Sequence, residues 1–334
     1  MQHRAASRRI FEKLSAARKP ILISHRKPDG DTLGAMMAVY NWLRDQGREA
    51  HAFCVDEPAS AYAYFPRITE VKSNPEIFAD EDVDMICVFD AGDLKYAGVD
   101  TFVEAMPKRP FIADFDHHVT NTLFGDGNLV ITSASSTAEV VHEFFDDNGV
   151  EMSRAMAICL MTGLLTDTSN FSNPATTVKS LEIASELLLK GVSIRDITRR
   201  LMRNKPFDAL KLWGRALERL RWDPETKFAS TALFRKDFED QPVEDEYVEG
   251  LSNFLNHLLQ ADVVLVLKET GNNKVKGSYR SANETDVAEI AKTFGGGGHR
   301  KAAGFVVDGA IVEHPNGWTV DRADLGEQFE LPAI

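Results

Sequence analysis

The chain has 334 residues, 43% of them hydrophobic and 27% charged; these proportions exclude a disordered, collagenous or fibrous protein, and the length exceeds what one hydrophobic core usually supports. Its 51 Asp and Glu outweigh 38 Lys and Arg for a net charge of -13, which excludes an extended basic track for long nucleic acid but leaves room for a local pocket for a short anion. No apolar run approaches the roughly 18 to 20 residues that span a bilayer, and the opening MQHRAASRRIFEKLSAARKP lacks the apolar stretch of a signal peptide, so the expected location is the cytoplasm, with no membrane partner.

In chain order, short β-rich runs alternate with helical stretches, which predicts a parallel α/β sheet in the first half. Strands are expected at Ile21–His25, Ala52–Val55, Met85–Asp90 and Phe111–Asp116. A helix over Thr32–Asp45 would bury one face through Leu33, Met36, Met37, Tyr40 and Leu43. Further helices are predicted at Ser136–Asp147, Ser153–Thr166 and Thr177–Lys190. Cys54, Cys87 and Cys159 sit in apolar runs without CxxC spacing and read as buried, reduced thiols.

A helical, Arg-rich connector follows, broken at Pro206, with Arg195, Arg199 and Arg203 on one helical face. That face is read as a solvated connector rather than a phosphate-steering surface. Beyond it a smaller α/β unit is expected, with strands at Phe228–Phe234, Val263–Lys268, Lys274–Tyr279 and Ala303–Val307. The expected division is a first domain over 1–192, a helical linker over 193–222 and a second domain over 223–334, with an active site in the cleft between the domains. The tail after Asp308 carries no assignable pattern.

The chemistry gathers at the strand exits. The first delivers His25, Asp29 and Asp31 in HRKPDGD; the next ends at Asp90; the third, FIADFDHH, ends at Asp116, His117 and His118; and LLTDTSNF places Asp167 after an apolar helical segment. In open parallel sheets ligands bind outside the carboxyl ends of the strands. Singly, each acid reads equally as a solvated turn or a helix cap. Together, two imidazoles and at least four carboxylates on one sheet edge would repel unless cations compensated them. Mixed N/O donors without thiolate suit Mn²⁺, Mg²⁺ or similar ions, and their number suits two metals, a device for displacement at phosphorus. The residues therefore point to metal-assisted phosphoester hydrolysis.

The series HRKPDGD, VFDAGD, DFDHHVTN and LLTDTSNF resembles, in order, the four motifs of the DHH phosphoesterase superfamily. Downstream, KGSYRS and FGGGGHRKAAGF are similar to the DHH-associated C-terminal domain of its NrnA-like nanoRNase/pAp phosphatase branch. The resemblance implies one metal on His25, Asp29 and Asp90 and a second on Asp31, Asp90, His117 and Asp167, with Asp90 bridging. The ions would be Mn²⁺, with Mg²⁺ or Co²⁺ as alternatives. It further implies that Asp116 orients ligands from behind and that His118 faces the scissile phosphate; a metal-ligand role for His118 is the alternative, and Asp114 has no assigned role. In the second domain Ser278, Arg280, Gly296, Gly297, Gly298 and His299 would clamp a terminal nucleotide, although a glycine run alone reads equally as a flexible turn.

The implied activity is that of a Mn-dependent phosphodiesterase and phosphomonoesterase. It would degrade short oligoribonucleotides to mononucleotides and dephosphorylate adenosine 3',5'-bisphosphate (pAp). Linear or cyclic dinucleotides such as pApA and c-di-AMP are the alternative substrates, and a sensor that binds nucleotide without catalysis is the rival of another class. The basic C-terminal signature of family II pyrophosphatases, the length of RecJ nucleases and the membrane segments of cyclic-dinucleotide hydrolases are not present. Expected partners are short RNA and nucleotides, not long duplexes; family analogy adds a homodimer for which the residues fix no surface.

Overall fold

The computed structural model describes all residues except 1, 203–206, 239–244, 249, 272, 315–316, 323–326 and 331–334. The chain divides into two units, Met1–Asn204 and Lys205–Ile334. The first contains α1 (Gln2–Ala16), β1 (Ile21–Ser24), α2 (Gly30–Asp45), β2 (His51–Phe53), β3 (Val71–Lys72), β4 (Met85–Phe89), the short α3 (Leu94–Ala97) and α4 (Asp100–Glu104), β5 (Phe111–Asp116) and β6 (Gly127–Val130). Helices α5 (Thr137–Asp147), α6 (Arg154–Asp167), α7 (Val178–Leu189) and α8 (Ile194–Met202) follow. Its six strands are all parallel, in the order β3-β2-β1-β4-β5-β6.

Alternation along the strands feeds two cores. Leu22, Met85, Cys87 and Phe89 face the layer built by α1, α2, α5 and α6, whereas Ile21, Ile23, Ile86 and Val88 face a layer that includes Phe78, Ala97 and Val99. Helix α2 is buried on all sides from Gly30 to Leu43, not along one stripe as its periodicity suggests, because it lies between the sheet and helices α5 and α6. Burial of Leu33, Met36, Met37 and Leu43 contributes roughly 2 kcal/mol each. At Gly34 a Cβ would come within 2.5 Å of the Cys159 carbonyl oxygen, so glycine lets α2 and α6 touch backbone to backbone. The three cysteines are free and buried.

The second unit contains α9 (Phe207–Glu218), β7 (Arg221–Asp223), β8 (Phe228–Leu233), α10 (Asp245–Val248), α11 (Leu251–Leu258), β9 (Val263–Glu269), β10 (Lys274–Ser281), α12 (Val287–Thr293), β11 (Gly297–His299) and β12 (Ala302–Asp308). The unassigned tail supplies β13 (Ala310–His314), β14 (Gly317–Arg322) and β15 (Glu327–Glu330), an antiparallel sheet of its own that buries Ile311, Trp318 and Val320 in the unit's core. The main sheet runs β11-β12-β10-β9-β8-β7, with only β8 and β9 parallel. The expected linker contributes a helix to each unit: α8 packs against α6, and α9 against β8. Arg199 pairs with Asp196 on its own helix, and Arg203 lies outside the described residues. Among the described residues, no helix is long and apolar enough to cross a membrane.

Candidate metal centre

Register alone aligns the first acids and imidazole. Ser24 pairs with Phe89 and Phe89 with Phe115, so His25, Asp90 and Asp116 stand side by side at the carboxyl edge of three adjacent strands. The strand order reverses between β1 and β4, which makes this the switch point where open α/β sheets bind ligands. Asp90 has left-handed backbone, φ 60°, while its N–H still donates to the Phe115 carbonyl at 2.9 Å. Such a conformation in a non-glycine residue costs on the order of 1 kcal/mol or more, and it turns the Asp90 carboxylate back over the edge.

Around Asp90 the donors fall into two groups. His25 Nε2 lies 3.4 Å from Asp90 Oδ2 and 3.8 Å from Asp29 Oδ2. The Nδ1 of His25 sits 2.7 Å from the Arg26 carbonyl oxygen, which assigns a proton to Nδ1 and turns Nε2 toward the carboxylates, where it donates to Asp90 in the metal-free protein and is free to bind a cation once deprotonated. On the other side His117 Nε2 lies 3.6 Å from Asp90 Oδ1 and 3.3 Å from Asp167 Oδ2. The ligand atoms of His25, Asp29 and Asp90 lie within 4.8 Å of one another, as do those of Asp31, His117 and Asp167. Asp90 thus directs one oxygen at each group.

Each carboxylate is held by its own element. Asp29 caps α2, accepting from the N–H groups of Asp31 and Thr32 through Oδ1 at 3.0 and 3.1 Å and keeping Oδ2 for the His25 side. One side chain therefore caps the helix with one oxygen and faces His25 with the other. Fully buried Asp31 accepts from Thr137 N at 2.6 Å and Ala138 N at 2.8 Å, at the positive end of α5. Thr137 Oγ1 donates to Asp90 Oδ1 at 2.8 Å, and Thr32 Oγ1 donates to the Phe89 carbonyl at 2.9 Å while accepting from His25 N–H. Sequence reasoning missed both threonines, because a hydroxyl in the first turn of a helix carries no spacing signal beyond ordinary capping.

Burial pushes the carboxyls of Asp31 and Asp167 well above their ordinary range, reinforced for Asp31 by Asp167, Asp90 and Asp29 and for Asp167 by Asp90 and Asp29. Asp29 is raised by burial and by Asp90. For Asp90 burial acts in the same direction but is overcome by the His25 hydrogen bond and the charges of His117, His118 and His25, so its carboxyl stays below the ordinary range. A pocket in which acids must otherwise take up protons, lined by carboxylate oxygens and imidazole nitrogens, fits divalent cations chemically.

Asp116 turns away from this centre. Its Oδ1 accepts from His117 N at 2.7 Å, His118 N at 3.2 Å and His118 Nδ1 at 2.8 Å, and its Oδ2 accepts from Asn121 Nδ2 at 2.7 Å. The Asp116 bond, with Asp90 adding charge, outweighs burial and raises His118 to about 9, so its ring is a cation at neutral pH. His118 Nδ1 is also 3.5 Å from Asp90 Oδ1, but that nitrogen is engaged by Asp116, which argues for a donor role over a ligand role. Asp114 is fully buried on the same side of β5, neither of its oxygens is hydrogen-bonded, and burial, with Asp116 adding to it, pushes its carboxyl up to about 8.

In the second unit, β12 runs between β10 and β11. Ser278 and Gly297 both pair with Gly304, and Arg280 and His299 both pair with Ala302, so these four expected clamp residues occupy two rows of one sheet, with Gly298 opposite Ala303 between them. Arg280 donates from Nε to Asn253 Oδ1 at 2.5 Å and from Nη1 to its neighbour's carbonyl at 2.8 Å. Asn253 was not foreseen, since it lies on α11, far upstream in sequence. At Gly296 a Cβ would stand 2.2 Å from the Gly304 carbonyl oxygen, and Gly298 has φ 142° with a Cβ site 2.6 Å from the Ala302 oxygen. These two glycines are demanded by close packing on β12; beside Gly297 a Cβ would meet nothing within 4 Å.

A parallel sheet of this order with an acid and imidazole centre at its switch point, followed by a separate mixed sheet, points to a two-domain phosphoesterase of α/β fold. The chain belongs to the DHH family: residues 19–164 match the DHH family, N-terminal domain, and residues 230–314 match the DHHA1 domain. It is 32% identical to the bifunctional oligoribonuclease and PAP phosphatase NrnA of Thermus thermophilus, over 92% of this chain and 90% of that relative. The Bacillus subtilis protein of the same description is 24% identical over 85% of this chain and 88% of its own length. The fold is similar to that of an exopolyphosphatase-related protein from Bacteroides fragilis, with a TM-score of 0.83, 24% identity and 90% of each chain covered.

Proposed function

We propose that this chain is a phosphoesterase that uses two divalent cations to hydrolyse short oligoribonucleotides to mononucleotides and to dephosphorylate pAp. The observation that carries this reading is Asp90, whose two oxygens face His25 at 3.4 Å and His117 at 3.6 Å and so address two donor groups at once. The descriptions of the relatives from Thermus thermophilus and Bacillus subtilis point to the same pair of substrates. His25, Asp29 and Asp90 would hold one cation and Asp31, Asp90, His117 and Asp167 the other, with Mn²⁺ preferred over Mg²⁺ because imidazole joins carboxylate in the donor set, and Co²⁺ as an alternative. Bound there, the cations would supply Lewis-acid polarisation of the phosphoryl group and an acidified water.

The chain's own contribution is positioning and charge. Cationic His118, steered by Asp116, donates a hydrogen bond to phosphate oxygens that gain charge in the transition state. Arg280, with Ser278, Gly296, Gly297, Gly298 and His299, takes the phosphate of a nucleotide end, the planar guanidinium being held by Asn253. Product analysis with purified protein tests the reading. A labelled RNA dinucleotide, pAp, c-di-AMP and a long single-stranded RNA are each incubated with Mn²⁺, Mg²⁺ or EDTA. Rapid cation-dependent loss of the dinucleotide and pAp, with the long RNA slow, is expected; preference for c-di-AMP would overturn the substrate, and inactivity on all four despite bound metal would overturn the enzyme.

A further inference from the structure

We propose that Tyr96 is a substrate-contacting residue on whose ring the nucleobase next to the scissile phosphate stacks, an inference that rests on the nucleotide phosphoesterase reading above. Tyr96 lies on α3, the single turn that follows Asp90 by four residues. Asp93 caps that turn, its Oδ1 accepting from Tyr96 N at 2.6 Å, and Gly98 closes it in left-handed conformation at φ 79°. The Arg26 side chain lies against Gly98 so closely that a Cβ there would stand 2.0 Å from Nε. Ala97 is buried and Leu94 packs on the core beneath, which leaves Lys95 and Tyr96 facing outward, Tyr96 being 54% exposed and the turn's aromatic residue.

The ring is anchored at the centre rather than loose on the surface. Its centroid is 5.5 Å from that of the His25 imidazole, at an interplanar angle of 56°. The other groups on the His25 side, Asp29 and Asp90, are carboxylates, and the His117 and His118 rings lie toward the other oxygen of Asp90. A phosphodiester seated between His25, Asp90 and His117 carries a nucleoside on each ester oxygen, and Tyr96 is the aromatic face within reach on the His25 side. Stacking on an aromatic ring accepts every base, which suits an enzyme that must clear short RNA regardless of sequence. Tyrosine also loses little conformational freedom when it is already fixed at both ends of its turn.

The test compares the wild-type chain, Tyr96→Ala and Tyr96→Phe with Mn²⁺ on an RNA dinucleotide and on two analogues, each lacking one base. Tyr96→Ala is expected to raise KM for the intact dinucleotide about tenfold with little change in kcat, and Tyr96→Phe to rescue it. Removing the base on one side of the phosphate should cost the wild type a similar factor and cost Tyr96→Ala nothing further. The Mn²⁺-induced rise in Tm should be the same in all three proteins. Equal penalties for the abasic substrates in wild type and Tyr96→Ala, or a Tyr96→Phe as impaired as the alanine variant, would overturn the stacking role. A wild type that leaves every dinucleotide intact would instead overturn the phosphoesterase reading, and this inference with it.

Discussion

His25 and Asp90 leave adjacent parallel strands one residue past the same register pair, Ser24 and Phe89, and their side chains meet at 3.4 Å. The contact is set by the sheet rather than by a loop, so the centre is carried on rigid elements, and the left-handed Asp90 backbone lets one carboxylate face both sides.

Removal of that carboxylate is the severest change available. Asp90→Ala and Asp90→Asn should each lower kcat/KM on an RNA dinucleotide by at least about a thousandfold, because one side chain serves both donor groups. Steady-state kinetics with saturating Mn²⁺ checks this. Cation-dependent activity within tenfold of the wild type in either variant would remove Asp90 from the bridge.

Metal binding should release protons. Asp29 is raised and Asp31 and Asp167 are well raised, so in the metal-free protein a cation competes with protons for these carboxylates. His25 acts likewise: burial lowers its pKa, but the Asp90 hydrogen bond and the charges of Asp29 and Asp90 outweigh burial and raise it. Groups with raised folded values stabilise the protein at low pH and lose that stability as pH climbs through those values; Asp90, which is lowered, works in the opposite direction. The metal-free protein should therefore become less stable as pH rises above the ordinary carboxylate range toward neutrality, and Mn²⁺ should reverse the loss. Calorimetric titration in two buffers of different ionisation enthalpy measures the released protons, and a buffer-independent heat would contradict this account.

The Asp116–His118 pair should govern the alkaline side of the rate profile. With His118 raised to about 9 chiefly by its bond to Asp116, kcat/KM should hold through neutral pH and fall as the imidazolium loses its proton. Asp116→Asn removes the cause of the shift, so the alkaline limb should move toward lower pH while metal content is retained. An unmoved limb would place the controlling proton elsewhere.

Much of this was legible in the sequence, for identifiable reasons. Continuous apolar runs such as Met85–Phe89 read as strands covered on both faces, and His25 and Asp90 follow such runs directly, so those strands and their exit residues could be read together. Asp29 reads in sequence as a solvated turn or a ligand, and in the fold its two oxygens part, Oδ1 going to the cap of α2 and Oδ2 toward His25. Thr137 and Asn253 were invisible because their roles depend on where α5 and α11 arrive in space, not on local pattern. Gly296 and Gly298 looked like an anion cradle but answer to the backbone of β12, a contact fixed by strand pairing. The tail went unassigned because its strands are short and largely polar, with Ile311, Trp318 and Val320 as their main buried residues.

Asp114 is the group that no part of the proposed chemistry uses, and its protonation can be read through stability. Burial, with Asp116 adding to it and Asn121 only partly opposing it, raises its carboxyl from 3.8 to about 8. Between those values the unfolded chain is ionised and the folded protein is protonated. The contribution of Asp114 is therefore fully present below the lower value and is lost as pH rises toward the upper one, at about 1 kcal/mol per pH unit. Asp114→Asn cannot titrate and lacks that slope. In EDTA the variant should gain on the wild type steadily from pH 5 to pH 7 in urea unfolding, and the difference should level off above about pH 8. A stability difference independent of pH across that range would show that Asp114 is ionised in the fold, with Asn121 as the partner that holds its charge.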